Sequence, residues 1–110
     1  MDFVVAPFNK EMRGPSMDVA KRVRDSGHVA DLILEPRRKV AQSFEYADRV
    51  GAQYIIFVAP DEISKGFVRI KDLRETNNDL KEYDIPLHEL KTVEKFLSNE
   101  RERRIATITE

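Results

Sequence analysis

The sequence has no cysteine or tryptophan, and only four of its 110 residues are glycine. Without cysteine the chain can form no disulfide, use no thiolate nucleophile and hold no thiolate-ligated zinc or iron–sulfur cluster. Its stability must therefore come from packing. No apolar run approaches the roughly 20 residues that cross a bilayer, and no basic segment with a cleavage site opens the chain. We expect a cytoplasmic protein with no membrane partner.

The sequence also lacks an excess of charge of either sign. Its 19 Lys and Arg residues face 20 Asp and Glu residues, which gives a net charge of −1. This balance argues against a partner held by bulk electrostatics alone, so a polyanion would have to meet a local basic patch. With 41% hydrophobic and 35% charged residues, 110 residues suffice for one globular domain with one modest core.

Catalytic signals are equally scarce. The first apolar run is followed by Ala6–Asn9 rather than by a glycine-rich phosphate loop, and no nucleophile elbow occurs. His28 and His88 stand outside any metal-ligand spacing, so we predict no metal site and no catalytic residue. Asp61 and Glu62 follow a buried strand, where they form either an acid/base pair or a solvated turn.

The apolar residues that are present predict an alternating order of strands and helices. Strands are predicted over 2–6, 29–34, 54–59 and 66–72, with a short edge strand over 80–85. Helices are predicted from Pro15 to Gly27, from Val40 to Gly51 and from Leu87 onward. We expect the third helix to fray in the charged tail.

The connection between the third and fourth predicted strands decides the fold class. Only about six residues separate them, too few for a crossover helix, so the two strands should pair antiparallel. The first three strands are joined through helices and should lie parallel. We therefore predict an α/β fold with a mixed five-stranded sheet, a parallel core, an antiparallel edge hairpin and three helices.

The fourth predicted strand alternates in character along its length. Val68 and Ile70 lie on one face, and Phe67, Arg69 and Lys71 lie on the other. An aromatic residue interleaved with cations is typical of a platform for single-stranded nucleic acid, although an ordinary solvated face is the alternative. Further cations cluster on the first helix and at the start of the second, at Lys21, Arg22, Arg24 and 37–39.

Five strings carry a likeness to one family. They are Phe3–Pro7, Ala20–Gly27, Tyr46–Ala52, Pro60–Glu62 and Gly66–Leu73. Together they resemble the C-terminal anticodon-binding domain of class II aminoacyl-tRNA synthetases, most closely the histidyl type. The resemblance implies the same fold, an anticodon-binding domain over 1–98, and a charged helix extension or tail over 99–110.

The resemblance also implies a tRNA partner and a binding surface for its anticodon loop. By string position the surface comprises Arg37, Arg38, Glu62, Arg69 and Lys71, beside the aromatic Phe67 of the same strand. Cations of this kind contact phosphate or a guanine edge, and a carboxylate accepts a hydrogen bond from a base amino group. Ala59-Pro60 stands where many family members have glycine, which should stiffen the acidic turn.

For a parent protein the resemblance implies an ATP-dependent histidine–tRNA ligase, homodimeric, with ATP and magnesium in a catalytic module that these 110 residues do not include. This domain itself is expected to need no cofactor. Two alternatives stand beside RNA binding. One is a protein-interaction domain of the same fold, and the other is a flavodoxin-like or receiver-type domain with Asp61 as its reactive acid. The predicted hairpin argues against the latter, which requires another helical crossover.

Overall fold

A computed structural model describes residues 2–33 and 40–109. Its five strands are β1 (Phe3–Pro7), β2 (Ala30–Leu32), β3 (Tyr54–Val58), β4 (Phe67–Asp72) and β5 (Glu82–Pro86). The α-helices of the described residues are α1 (Arg13–Asp25), α2 (Val40–Arg49), α3 (Pro60–Ser64) and α4 (Val93–Thr109). Short 3₁₀ segments cover Lys10–Met12, Asn78–Leu80 and Leu87–Thr92.

The five strands form one sheet in the order β2-β1-β3-β4-β5. β1 pairs parallel with β2 and β3, whereas β4 pairs antiparallel with β3 and β5. The predicted mixed sheet is confirmed, because the helical connections before β2 and β3 allow parallel pairing and the short link after β3 forces the chain to reverse. The antiparallel β4 also excludes the flavodoxin-like alternative.

Apolar side chains fill both faces of the central strands. Val4 and Val5 of β1 and Ile55 and Ile56 of β3 are all fully buried. One face packs against α1, α4 and the segment before α4, and the other packs against α2. Strands covered on both sides carry continuous apolar runs, which is the pattern that identified them in the sequence.

The connection between β3 and β4 contains a helix that the sequence did not predict. α3 follows Ala59, whose backbone is extended with φ −120° and ψ 151°, and it begins with Pro60. Proline fits the first helical position, and the residue before it is driven to extended geometry. The described residues therefore contain four α-helices where three were predicted. A helix of five residues is too short to show a helical period, and too short to cross the sheet.

The C-terminal helix also differs from the prediction. A 3₁₀ segment occupies Leu87–Thr92, so α4 begins only at Val93, and it continues through the charged run to Thr109 where fraying was expected. Arg101 and Arg104 tie this extension to the body of the domain: the Arg101 guanidinium lies 2.9 Å from Glu75, and Arg104 donates to the Glu82 carbonyl at 2.6 Å.

Candidate nucleic-acid interface

The side of the sheet that α2 packs against carries a polar surface on its hairpin half. We call this surface the outer face and define it by Phe57, Phe67, Arg69, Lys71, Glu82 and Asp84. In register, Arg69 lies between Phe57 and Asp84, and Lys71 lies opposite Glu82. Directly paired residues of an antiparallel sheet share a face, so an aromatic ring, a cation and a carboxylate stand side by side. The predicted alternation of β4 is confirmed, because Val68 and Ile70 are fully buried beneath it.

Arg69 is surrounded by three carboxylates. Its Nε donates to Asp84 at 2.9 Å and lies 3.2 Å from Glu82, and its Nη1 lies 3.8 Å from Glu62. The hydrogen bond to Asp84 and then the charges of these acids raise the pKa of Arg69. The guanidinium charge is therefore already neutralised on the outer face, and Arg69 is poorly suited to act as a free clamp for phosphate.

Lys71 covers an aromatic pair instead of pairing closely with an acid. Its Nζ lies 3.9 Å from Glu82 and 5.4 Å from the centroid of the Phe44 ring. That ring is tilted against Phe57 with centroids 5.4 Å apart. Phe44 of α2 is thus half-buried at the edge of the outer face. Lys71 remains 37% exposed, which leaves its ammonium accessible to an anion.

A hollow of about 490 Å³ opens where β1 and β3 end, beside Arg69. Its apolar walls come from Phe8 and Phe57, and Glu62 of α3 stands at its polar side. Phe8 is 62% exposed, so most of its ring is in contact with solvent. Its backbone N–H donates a hydrogen bond to the Val58 carbonyl at 2.9 Å, which fixes the position of the residue. Flat apolar walls beside a carboxylate and a guanidinium suit a planar base with a hydrogen-bonding edge.

The sequence missed Phe8 as a site residue. The signal was present, since an aromatic side chain directly follows a buried strand at the carboxyl end of a parallel sheet, where α/β folds place ligands. Of the predicted site residues, the structure brings Glu62, Arg69 and Lys71 together and puts Phe67 on their face. Arg37 and Arg38 lie outside the described residues. A role in RNA binding stays a prediction for all six.

The cations of α1 serve the fold. Lys21 pairs with Asp25 at 3.0 Å, and the Arg24 guanidinium donates twice to the Ala30 carbonyl, at 2.7 and 3.0 Å. Arg22 pairs with Asp18 at 2.9 Å and donates to the Leu87 carbonyl, also at 2.9 Å. These contacts favour the interpretation of α1 as a solvated structural surface.

Within residues 2–33 and 40–109, no group of histidine and carboxylate side chains has the geometry to hold a metal ion. No helix in that part of the chain combines the length and the apolar character of a membrane span.

A family model described as an anticodon binding domain matches residues 2–97. The chain belongs to the anticodon-binding domain family. The matched range contains every strand of the sheet, all of the outer face and the hollow beside Phe8.

Individual relatives of this anticodon-binding domain are synthetases. A histidine–tRNA ligase of Stenotrophomonas maltophilia is 31% identical over 70 residues, which are 64% of this chain and 15% of the relative. Histidyl-tRNA synthetase from Nostoc sp. PCC 7120 superimposes with a TM-score of 0.71 at 22% identity, over 84% of this chain and 21% of that one. The RNA binding domain of threonyl-tRNA synthetase from Cryptosporidium parvum gives 0.73 at 10% identity, over 89% and 23%. The two structural likenesses show the shared fold, and the chain spans about a seventh of its curated relative.

Proposed function

We propose that this domain binds the anticodon stem-loop of a tRNA, and that it does so as the C-terminal domain of a histidyl-tRNA synthetase. The observation that carries the proposal is the hollow beside Phe8, Phe57 and Glu62 within a domain of the anticodon-binding family. The histidine–tRNA ligases among its relatives support the choice of synthetase.

In this proposal one unstacked base of the anticodon loop enters the hollow. Its faces contact the rings of Phe8 and Phe57, a type of contact that contributes roughly 1–3 kcal/mol per base. Glu62 accepts a hydrogen bond from an exocyclic amino group, and Arg69 donates to an acceptor on the same edge. Arg69 already has three acidic neighbours, so a base that accepts a hydrogen bond from Arg69 replaces one of these carboxylates. The contact with the base therefore adds more to selectivity than to affinity.

Affinity for the RNA backbone comes from cations outside the hollow. Lys71 is the cation of β4 with the looser acidic pairing, and Arg37 with Arg38 are the proposed phosphate contacts before α2. The rest of the parent supplies a catalytic module that uses ATP and magnesium, in a cytoplasmic homodimer. The domain needs neither cofactor to hold the RNA, since its proposed contacts are side chains.

The test is a competition titration of the chain with labelled anticodon stem-loops that differ at single anticodon bases. Glu62→Gln keeps the shape of the side chain but turns one acceptor oxygen into a donor group. A base that donated to that oxygen then faces another donor. We expect the preference for the histidine anticodon over altered loops to fall by up to roughly tenfold, with non-specific affinity unchanged.

Glu102→Gln is the matched control, because it makes the same chemical change at an exposed position of α4. It should leave both affinity and preference unchanged. An unaltered preference in Glu62→Gln would remove Glu62 from the interface. If the unmodified chain binds the stem-loop no better than an unrelated RNA of equal length, the anticodon role is wrong, and the protein-interaction alternative takes its place.

A further inference from the structure

A second pocket lies at the opposite end of the sheet, where β1 and β3 begin and β4 ends. Its volume is about 420 Å³, within the usual range for small-molecule sites, and α4 forms one wall. The lining residues that matter most are Phe3, Tyr54, Asp72, Tyr83, Glu94 and Arg101. The proposed recognition of an anticodon does not use this pocket, because the pocket and the hollow beside Phe8 lie at opposite ends of β3 and share no lining residue.

Asp72 is the unusual residue of this pocket. It continues the face of β4 that carries the fully buried Val68 and Ile70, and it is itself only 8% exposed. Among the described residues its side chain has one hydrogen-bond donor, the Arg74 amide, at 3.0 Å from Oδ1. A carboxylate can accept about four hydrogen bonds, and buried charges are normally paired. Acceptor capacity therefore remains at a core position of the sheet.

Tyr83 adds a second polar group with unused capacity. The residue is 3% exposed and lines the pocket from β5. Its ring lies beneath the Arg104 guanidinium at 4.3 Å, but no hydrogen bond to its hydroxyl occurs within residues 2–33 and 40–109. Burial raises the pKa of Tyr83, so the hydroxyl keeps its proton. Buried tyrosine hydroxyls usually have a partner, which points to a ligand group in the pocket.

Charge and shape together select the class of ligand. Asp2 and Glu94 stand at the rim, bridged by His28 at 3.3 and 3.2 Å, so carboxylates dominate around Asp72. The pocket's cation, Arg101, is already paired with Glu75 at 2.9 Å. The wall beside them is aromatic, with Phe3 stacked on Tyr54 at a centroid distance of 5.0 Å. Carboxylates next to aromatic rings favour a cation with an apolar stem and disfavour phosphate.

We propose that this pocket binds an organic cation, a guanidinium or primary ammonium group on a short apolar stem. The Asp72 carboxylate accepts one hydrogen bond from the cation, the Tyr83 hydroxyl oxygen accepts a second one, and the stem lies along Tyr54. The same chemistry is offered by a free small amine and by an arginine or lysine side chain of a protein segment.

The test compares two probes of equal shape, butylguanidinium and the uncharged butylurea, by NMR titration of the ¹⁵N-labelled chain. We expect saturable shifts around Tyr54, Asp72 and Tyr83 with butylguanidinium, and binding of butylurea weaker by roughly tenfold or more. Tyr83→Phe should weaken binding of butylguanidinium several-fold while the fold is kept. Asp72→Asn should weaken it about tenfold, because a charge-assisted hydrogen bond is lost.

Asp84→Asn is the control variant, since it removes a carboxylate from the outer face, on the opposite side of β5 from the buried Tyr83. It should leave binding of butylguanidinium unchanged. Equal binding of the two probes, shifts that never saturate, or unchanged binding in both Tyr83→Phe and Asp72→Asn would overturn the proposal. A capped Gly-Arg-Gly peptide that binds more tightly than butylguanidinium identifies a protein segment as the source of the cation, and one that binds more weakly identifies a free amine.

Discussion

Arg69 should matter to stability well beyond an ordinary surface cation. Arg69→Met removes the guanidinium and leaves Glu62, Glu82 and Asp84 without their shared counter-charge. Exposed ion pairs contribute about 0.2–1 kcal/mol each, and the Arg69 side chain is 41% exposed, so its three pairs fall within that range. We expect the free energy of unfolding to fall by about 1–2 kcal/mol, which lowers Tm by roughly 4–8 °C per kcal/mol.

The measurement is urea denaturation followed by circular dichroism, at low salt and again in 1 M NaCl. High salt shortens the Debye length to about 3 Å and should shrink the difference from the unmodified chain. Lys21→Met is the matched control: it also removes one positive charge, but from a single pair with Asp25 whose side chains are 75% and 46% exposed. Its cost should stay near 0.3–0.5 kcal/mol.

A double-mutant cycle separates the Asp84 pair from the other two. Arg69→Met combined with Asp84→Asn should cost less than the sum of the single changes, by about 0.5–1 kcal/mol. If Arg69→Met costs no more than Lys21→Met, or if the two changes at Arg69 and Asp84 are simply additive, the carboxylates do not hold Arg69 as the distances indicate.

Three further predictions concern the core, the α4 extension and the rim. Ile56→Ala should lower the unfolding free energy by about 2–5 kcal/mol because the side chain is fully buried, whereas the half-buried Phe44→Ala should cost less; denaturant melts of both compare them. The hydrogen bond from Arg101 lowers the pKa of Glu75, so the ionised carboxylate stabilises the fold above its unfolded pKa and this contribution disappears as pH falls. Glu75→Gln should therefore be less stable than the unmodified chain at neutral pH, and thermal melts should show this difference in Tm shrinking below pH 4. Lys71→Ala should weaken stem-loop binding and lower the slope of log K against log salt by about 0.7–1, measured by anisotropy.

Period and length explain which parts of the fold the sequence predicts well. Tyr54 to Val58 is apolar at every position, and residues 68–71 of β4 alternate between apolar and charged, so the local sequence of both strands indicates which faces are buried. The count of residues between them then dictates an antiparallel turn. α3 could not be predicted from a hydrophobic period, because its five residues contain little more than one helical turn and only Pro60 marks its start.

The candidate sites depend on tertiary neighbours that no local pattern reveals. Arg69 is a cation in the sequence, but its three acidic partners come from α3 and β5, so its neutral character is visible only in the fold. Asp72 likewise occupies a position whose alternation predicts an apolar side chain. Asp72 lies beside Tyr83 at the end of the sheet that α4 covers, a neighbourhood that only the fold creates.

The charge pattern of the outer face has a consequence for how the domain can contribute to recognition. Around the hollow, the acids Asp61, Glu62 and Asp84 outnumber Arg69, so under the proposed function a phosphate backbone would be repelled there and would contact cations outside the hollow, such as Lys71. An RNA bound in this way gains little from counterion release and depends on the fit of one base to its hydrogen-bond donors and acceptors. Under the proposed function, selectivity and affinity would then be divided within the parent protein: the domain would discriminate among anticodons, and most of the binding free energy would come from contacts elsewhere on the tRNA.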